Sequence, residues 1–409
     1  MHSGRKVLQL LLYFGVGVNL AAICLFKYSG FLAGTLNRAA GLTLPVPSFI
    51  LPLAISFFTF QQIAFLVDVA AGRTEEPDLL RYTLFVVFFP QLIAGPIVQH
   101  KEIAPQLDQA YTSFHRKSKE NLQEGLFFFV SGLAKKLIIA DFLGGIADPV
   151  FSAAAGGMLP AAMAWTGLAA YAFQLYFDFS GYSDMAVGLA ALFGVHIPYN
   201  FDSPYKAVSI SDFWKRWHIT LGSFFRHYLY FPLGGSRCGR LRAGFNLWLT
   251  MTLCGLWHGA GWTFVLWGMY HGFLLILGKV FSNFSFRIQP HQIVSRAVTF
   301  FLVFAGWGIF RSTDIKSMLN LFISMSGLGR TSPAADSLLS GINILFIAGA
   351  AAIAWILPNT QEIKHYFKNN AVHPALTAGG GFIAGAAIAV VAARFFFKIE
   401  PAAFLYYNF

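Results

Sequence analysis

Histidines set between glycines and tryptophans in apolar runs are the residues of this 409-residue chain best suited to proton chemistry. His258 stands in Leu253-Cys254-Gly255-Leu256-Trp257-His258-Gly259-Ala260-Gly261-Trp262. An imidazole accepts a proton from a hydroxyl near neutral pH, which acyl transfer to an alcohol requires, and the flanking glycines leave room for a substrate. A buried histidine hydrogen-bonded across helices also explains the context. His271 recurs in Trp267-Gly268-Met269-Tyr270-His271-Gly272. On one continuous helix it would lie roughly 20 Å from His258 on nearly the opposite face, so one site holds both only if the helix breaks; a structural role is the simpler reading.

Residues Ser211 to Tyr230 read as one amphipathic helix, with Phe213, Trp217, Leu221, Phe224 and Tyr228 on its apolar stripe and Ser211 or Asp212 at its start. His218 falls at the border of that stripe, where it can line a cavity, whereas interfacial anchoring accounts for most of its neighbours. Asp178 and Asp184 flank Phe179-Ser180-Gly181-Tyr182-Ser183. If Ser180-Gly181 unwinds a helix, Asp184 caps the next half-helix; proton relay or a transporter's substrate site uses the same device. No Gly-x-Ser-x-Gly elbow, P-loop or His-Glu-x-x-His is present. Cys24, Cys238 and Cys254 are too scattered for a disulfide framework or a zinc site, so no metal is expected.

Elements that hold such residues must lie in lipid. The chain is 56% hydrophobic and 11% charged with 45 phenylalanines, which excludes a soluble or disordered chain. Its aromatics sit apart from its basic residues, so the net charge of +11 does not describe a nucleic-acid binder. Apolar runs at 7–26, 46–70, 79–98, 122–146, 161–179, 185–197, 245–280, 297–310, 342–357 and 375–397 predict an all-α polytopic bundle of roughly ten to twelve transmembrane helices in a single domain, 1–409. The first run is longer than a signal-peptide core and is expected to remain. The 245–280 run would extend about 50 Å as one helix, too long for an upright crossing, and Gly255, Gly259 and Gly261 are the places for a break. Seven basic residues against Asp212 put 206–242 on the cytoplasmic side, and 148–160, with none, outside.

Together the stretches Phe89-Pro90-Gln91-Leu92-Ile93-Ala94-Gly95-Pro96-Ile97-Val98, Asp178 to Asp184, Asp212-Phe213-Trp214-Lys215-Arg216-Trp217-His218 and Gly255-Leu256-Trp257-His258-Gly259 resemble the membrane-bound O-acyltransferase superfamily, in its bacterial branch similar to alginate O-acetyltransferase. Phe231-Pro232-Leu233-Gly234-Gly235-Ser236-Arg237 and the tail Phe404-Leu405-Tyr406-Tyr407-Asn408-Phe409 extend it over most of the chain. Relatives of that branch commonly carry further apolar helices before the equivalent of Phe26-Lys27-Tyr28.

The resemblance implies short re-entrant and amphipathic helices around a central tunnel, His258 as the essential histidine and His218 where other branches place an asparagine. Trp214, Arg216, Trp217, Trp257, Asp178, Asp184 and His271 are then the expected substrate-lining residues. It implies no bound cofactor. Acetyl-CoA or another acyl thioester is the cytoplasmic donor, and the acyl group passes to an extracytoplasmic acetyltransferase partner and a polysaccharide, in the inner cell membrane among lipid. D-alanyl transfer towards teichoic acid and a polysaccharide or lipid transporter are the alternative functions.

Overall fold

Long apolar stretches cannot leave backbone N–H and C=O groups bare in lipid, and helices satisfy these groups internally. The computed structural model describes residues 2–74, 79–92, 95–116, 118–283, 291–329, 339–369 and 404–405. Among them no strand forms beyond an isolated antiparallel bridge between Phe201 and Trp217. The helices are α1 (His2–Ile23), α2 (Ser29–Ala40), α3 (Ile55–Ala70), α4 (Leu79–Val87), α5 (Phe89–Leu92), α6 (His100–Arg116), α7 (Ser118–Ala134), α8 (Asp141–Gly156), α9 (Ala161–Leu192), α10 (Ile210–Arg216), α11 (Ile219–Phe225), α12 (Arg240–His258), α13 (Trp262–Asn283), α14 (Gln292–Arg311), α15 (Ile315–Ile323), α16 (Gly341–Trp355) and α17 (Thr360–Asn369). The expected all-α membrane architecture is the observed one.

Three helical stretches among the described residues are long and apolar enough to span a bilayer: Lys6–Ala40, Trp262–Phe281 and Gln292–Arg311. The pair α16 and α17, bent by 53°, would make a fourth. Other expected crossings are built differently. The 122–146 run lies in α7 and α8, joined through a wide turn at Lys135–Ala140 that carries two lysines into the interior. The 79–98 run divides into α4 and the four-residue α5. The 375–397 run lies outside the described residues, as do residues 93–94 and 406–409 of the motifs above.

One expectation is corrected at α9. Residues 161–192 form a single continuous helix, so Ser180-Gly181 does not unwind. Gly181 instead meets Gly132 of α7, and a Cβ built on it would stand 2.7 Å from the Gly132 carbonyl oxygen. The glycine lets two helices touch. Asp184 therefore caps nothing: its Oδ2 accepts from Lys135 Nζ at 2.5 Å and from Thr360 Oγ1 at 2.7 Å.

A second correction concerns residues 211–230, which are not one helix. Ser209, rather than Ser211 or Asp212, caps α10, its side chain accepting from Asp212 N at 3.1 Å. Trp217 then turns extended to bridge Phe201, and His218 takes a φ of 44°, the left-handed region. That conformation costs a non-glycine residue roughly 1–2 kcal/mol. Backbone bonds from Asp202 N to Arg216 O and from Ile219 N to Asn200 O, both 3.0 Å, hold the break open. Phe213, Trp217, Leu221 and Phe224 of the apolar stripe are nevertheless buried, and Tyr228 is half-buried.

The break expected in 245–280 occurs where the glycines stand: α12 ends at His258 and α13 begins at Trp262. The two helices then return against each other. A Cβ on Gly255 would lie 2.2 Å from the Phe264 carbonyl oxygen, and one on Gly268 would lie 2.3 Å from that of Met251. This near-contact of backbones sets His258 and the first turns of α13 at one level.

Candidate active site

His258 closes α12 and is buried to 1% exposure. Its ring stands 4.9 Å from Trp257, 5.2 Å from Trp267 and 5.3 Å from Phe310, each nearly edge to face. Aromatic rings on three sides thus screen the buried imidazole from solvent. The carbonyl end of α12 is tied from the N-terminal helices. Half-buried Lys27 donates from Nζ to Trp257 O at 2.6 Å and to Ser56 Oγ at 3.1 Å, and Tyr28 Oη donates to Leu256 O at 2.9 Å. A cation at a helix C-terminus also complements the helix dipole.

His218 is 1% exposed, its ring 4.7 Å from Phe179 and 6.4 Å from Trp257, so both histidines touch the same indole. Its Nδ1 is 3.3 Å from Asn200 Oδ1. That oxygen also accepts from Thr220 Oγ1 at 2.6 Å. An amide oxygen can only accept, so His218 Nδ1 carries the proton and Nε2 the lone pair. Thr220 Oγ1 in turn accepts from Ile97 N at 2.9 Å, which joins the Gly95–Val98 stretch to the histidine loop. The motifs that stand far apart in sequence thus meet at one place.

The remaining expected site residues divide into two groups. Trp214 donates from Nε1 to His271 Nδ1 at 3.4 Å, and His271, fully buried, has its ring 5.0 Å from Trp267. Because the helix breaks, Trp267 meets His258, and His271, one turn further along α13, meets Trp267 in turn. Trp217 is buried against Phe201, Phe213 and Trp307, and Trp257 bridges the two catalytic candidates.

Arg216, Asp178 and Asp184 are engaged in ion pairs. Arg216 pairs with Asp212 at 2.9 Å and Asp202 at 3.4 Å. Asp178 lies 2.7 Å from Lys136, which also meets Asp141 at 2.7 Å, and its Oδ2 accepts from Leu405 N at 2.9 Å. Asp184 is held by Lys135 and Thr360. Phe404, beside Leu405, stacks on Tyr182 at 4.3 Å, so this part of the tail docks on α9. No set of three or more His, Cys, Asp or Glu side chains among the described residues is arranged to hold a metal ion.

Lys27, Tyr28, Asn200, Trp267 and Phe310 escaped sequence reasoning. Lys27 had a signal, being an isolated cation in an apolar span. Asn200 had none, since only the fold brings it to His218. Lys27→Met, which keeps the stem and removes the donors, is expected to lower turnover by roughly ten- to a hundredfold through displacement of His258. Ester formation per unit of membrane protein measures this, with thermal unfolding in detergent to separate displacement from loss of fold.

The membrane-bound O-acyltransferase family model matches residues 53–313. A peptidoglycan O-acetyltransferase of Helicobacter pylori is 40% identical over 351 residues, covering 79% of this chain and 66% of that protein. A probable alginate O-acetylase of Pseudomonas putida is 37% identical over 382 residues, 91% of this chain and 76% of the relative. A teichoic acid D-alanyltransferase of Streptococcus thermophilus is 27% identical over 237 residues, 55% of this chain and 56% of that one. The chain thus spans less than two thirds of the length of two of these three relatives. The matched region holds His218, Asn200, His258 and every aromatic residue in ring contact with His258 named above, and this chain belongs to the membrane-bound O-acyltransferase family.

Proposed function

We propose that the protein is an O-acetyltransferase of the inner cell membrane that passes an acetyl group from a cytoplasmic thioester towards an extracytoplasmic polysaccharide. The observation that carries this reading is His258 itself, a dry imidazole at a helix end, walled by aromatics and anchored through Lys27 and Tyr28. His258 acts as general base: it takes the proton of the acceptor hydroxyl as that oxygen attacks the thioester carbonyl carbon. The tetrahedral intermediate then expels the thiolate, which takes the proton back from the imidazolium. His218, with its Nδ1–H given to Asn200, packs on the same indole as the second polar group.

Basic residues support an anionic donor such as acetyl-CoA. Lys215, Arg226 and Arg237, between α9 and α12, and Arg240 and Arg242, in the first turn of α12, are exposed on the side that the loop charges make cytoplasmic. On the outer side the acyl group goes to a partner acetyltransferase and from there to the polysaccharide. The names of the relatives at 37–40% identity favour acetate and a polysaccharide acceptor over D-alanine.

Chemical analysis of the envelope tests the acyl group. In a strain lacking this gene, mild alkali is expected to release less acetate from surface polysaccharide than from the parent, with ester-linked D-alanine unchanged, and the wild-type gene should restore it. Loss of D-alanine with acetate unchanged would replace the acetyl reading by the alanyl one.

A further inference from the structure

Indole N–H groups are donors only, and a buried one without an acceptor costs the full desolvation of the group. Three other indoles find an acceptor: exposed Trp165 donates to Met325 O at 3.0 Å, half-buried Trp214 to His271 Nδ1 at 3.4 Å and buried Trp307 to Tyr205 Oη at 3.1 Å. Trp257 and Trp267 do not. Their Nε1 atoms are buried and meet no acceptor among the described residues. These are the two indoles in ring contact with His258, at 4.9 and 5.2 Å.

Two unanswered donors beside one base are an arrangement suited to binding an oxygen of a substrate. The backbone at this point supplies the opposite polarity. As the last residues of α12, Leu256 and Trp257 present carbonyls, which Tyr28 and Lys27 already occupy. The end of α12 therefore offers no backbone donor, and the two indoles are the side-chain donors that pack on His258. Close packing at Gly255 and Gly268 fixes the two indoles relative to each other, since Trp257 and Trp267 are near neighbours of those glycines in the chain.

We propose that the indole N–H groups of Trp257 and Trp267 receive the carbonyl oxygen of the acyl thioester beside His258 and stabilise it as it becomes an oxyanion. This rests on the acyl-transfer reading of His258. As the acceptor oxygen bonds to the carbonyl carbon, the C=O π pair moves onto oxygen between the two N–H donors and the hydroxyl proton moves to His258. When the pair returns, the C–S bond breaks, the thiolate takes the proton from His258, and both indoles are released. Donors preorganised in a water-free site suit this task because they need no reorganisation as charge develops.

Inside-out membrane vesicles bearing the protein and enclosing its partner acetyltransferase and polysaccharide, with ¹⁴C-acetyl-CoA added outside as the donor probe, test the assignment through alkali-labile label. W257F and W267F keep an aromatic ring and delete the N–H. Each is expected to lower kcat by about a hundredfold with KM for the donor changed less than threefold. Benzothienylalanine at position 267, where sulfur replaces N–H on an unchanged bicycle, should reproduce the W267F loss and so separates the donor from ring packing. The proposal is overturned if the double variant W257F/W267F keeps kcat within threefold of wild type while His258→Gln is inactive. It is also overturned if KM rises while kcat holds, because the indoles would then bind only the ground state. Wild-type activity retained by His258→Gln would instead remove the acyl-transfer reading beneath it.

Discussion

Replacing His258 by alanine is expected to lower acyl transfer by roughly 10²- to 10⁴-fold, the usual worth of a positioned general base, while the protein still reaches the membrane. The imidazole is 1% exposed and is ringed by Trp257, Trp267 and Phe310, so water has poor access to replace it as base. Alanine also opens a cavity among these rings, which makes His258→Gln the necessary companion. Glutamine retains a polar side chain of similar reach and cannot accept a proton near neutral pH. An enzyme with a general base loses turnover in both variants. A transporter that uses His258 only for packing keeps its flux in the glutamine variant. Acetate released from surface polysaccharide, normalised to membrane protein, reads the difference.

The largest effect on stability is expected at Lys136. Its ammonium lies 2.7 Å from Asp141 and 2.7 Å from Asp178, and these carboxylates are 0% and 1% exposed. One cation compensates two buried anions. Lys136→Met leaves both without it, and breaking a buried pair in this way costs about 3–5 kcal/mol. The consequence reaches the tail, because Asp178 Oδ2 also accepts from Leu405 N, and Phe404 beside it stacks on Tyr182. Removal of all three charges is a different matter. Lys136→Met combined with Asp141→Asn and Asp178→Asn should recover much of the loss, since no charge is then left unpaired. Thermal unfolding in detergent should therefore rank the single variant well below the triple, and equal midpoints would show that the ion cluster contributes little.

How far the sequence discloses this site depends on the range of the interaction concerned. Local signals are legible: glycines at 255, 259 and 261 mark the break that leaves His258 at a helix end, and apolar spacing marks Phe213, Trp217, Leu221 and Phe224, which are buried, and Tyr228, which is half-buried. Where a long-range contact overrules a local pattern, the pattern misled. The extended turn at Trp217 exists because it bridges Phe201, and helical periodicity carries no trace of that pairing. The same holds for Ser180-Gly181, which reads as a weak point in a helix but is a contact surface for Gly132. Asp178 and Asp184 were legible as costly ions in an apolar run, whereas Lys135 and Lys136, which neutralise them, lie more than forty residues away. The break brings Trp267 to 5.2 Å from His258, and His271, one turn further along α13, lies 5.0 Å from Trp267.

The central claim is that an acyl group moves from a thioester to a hydroxyl at His258. Inside-out vesicles that enclose the strain's own partner acetyltransferase and polysaccharide, given ¹⁴C-acetyl-CoA from outside, measure this through alkali-labile label in the polymer. Wild-type vesicles are expected to form labelled ester linearly with time, and vesicles carrying equal amounts of the His258→Gln protein to form at most about one part in a hundred of it. Equal rates of label in the two would contradict the account.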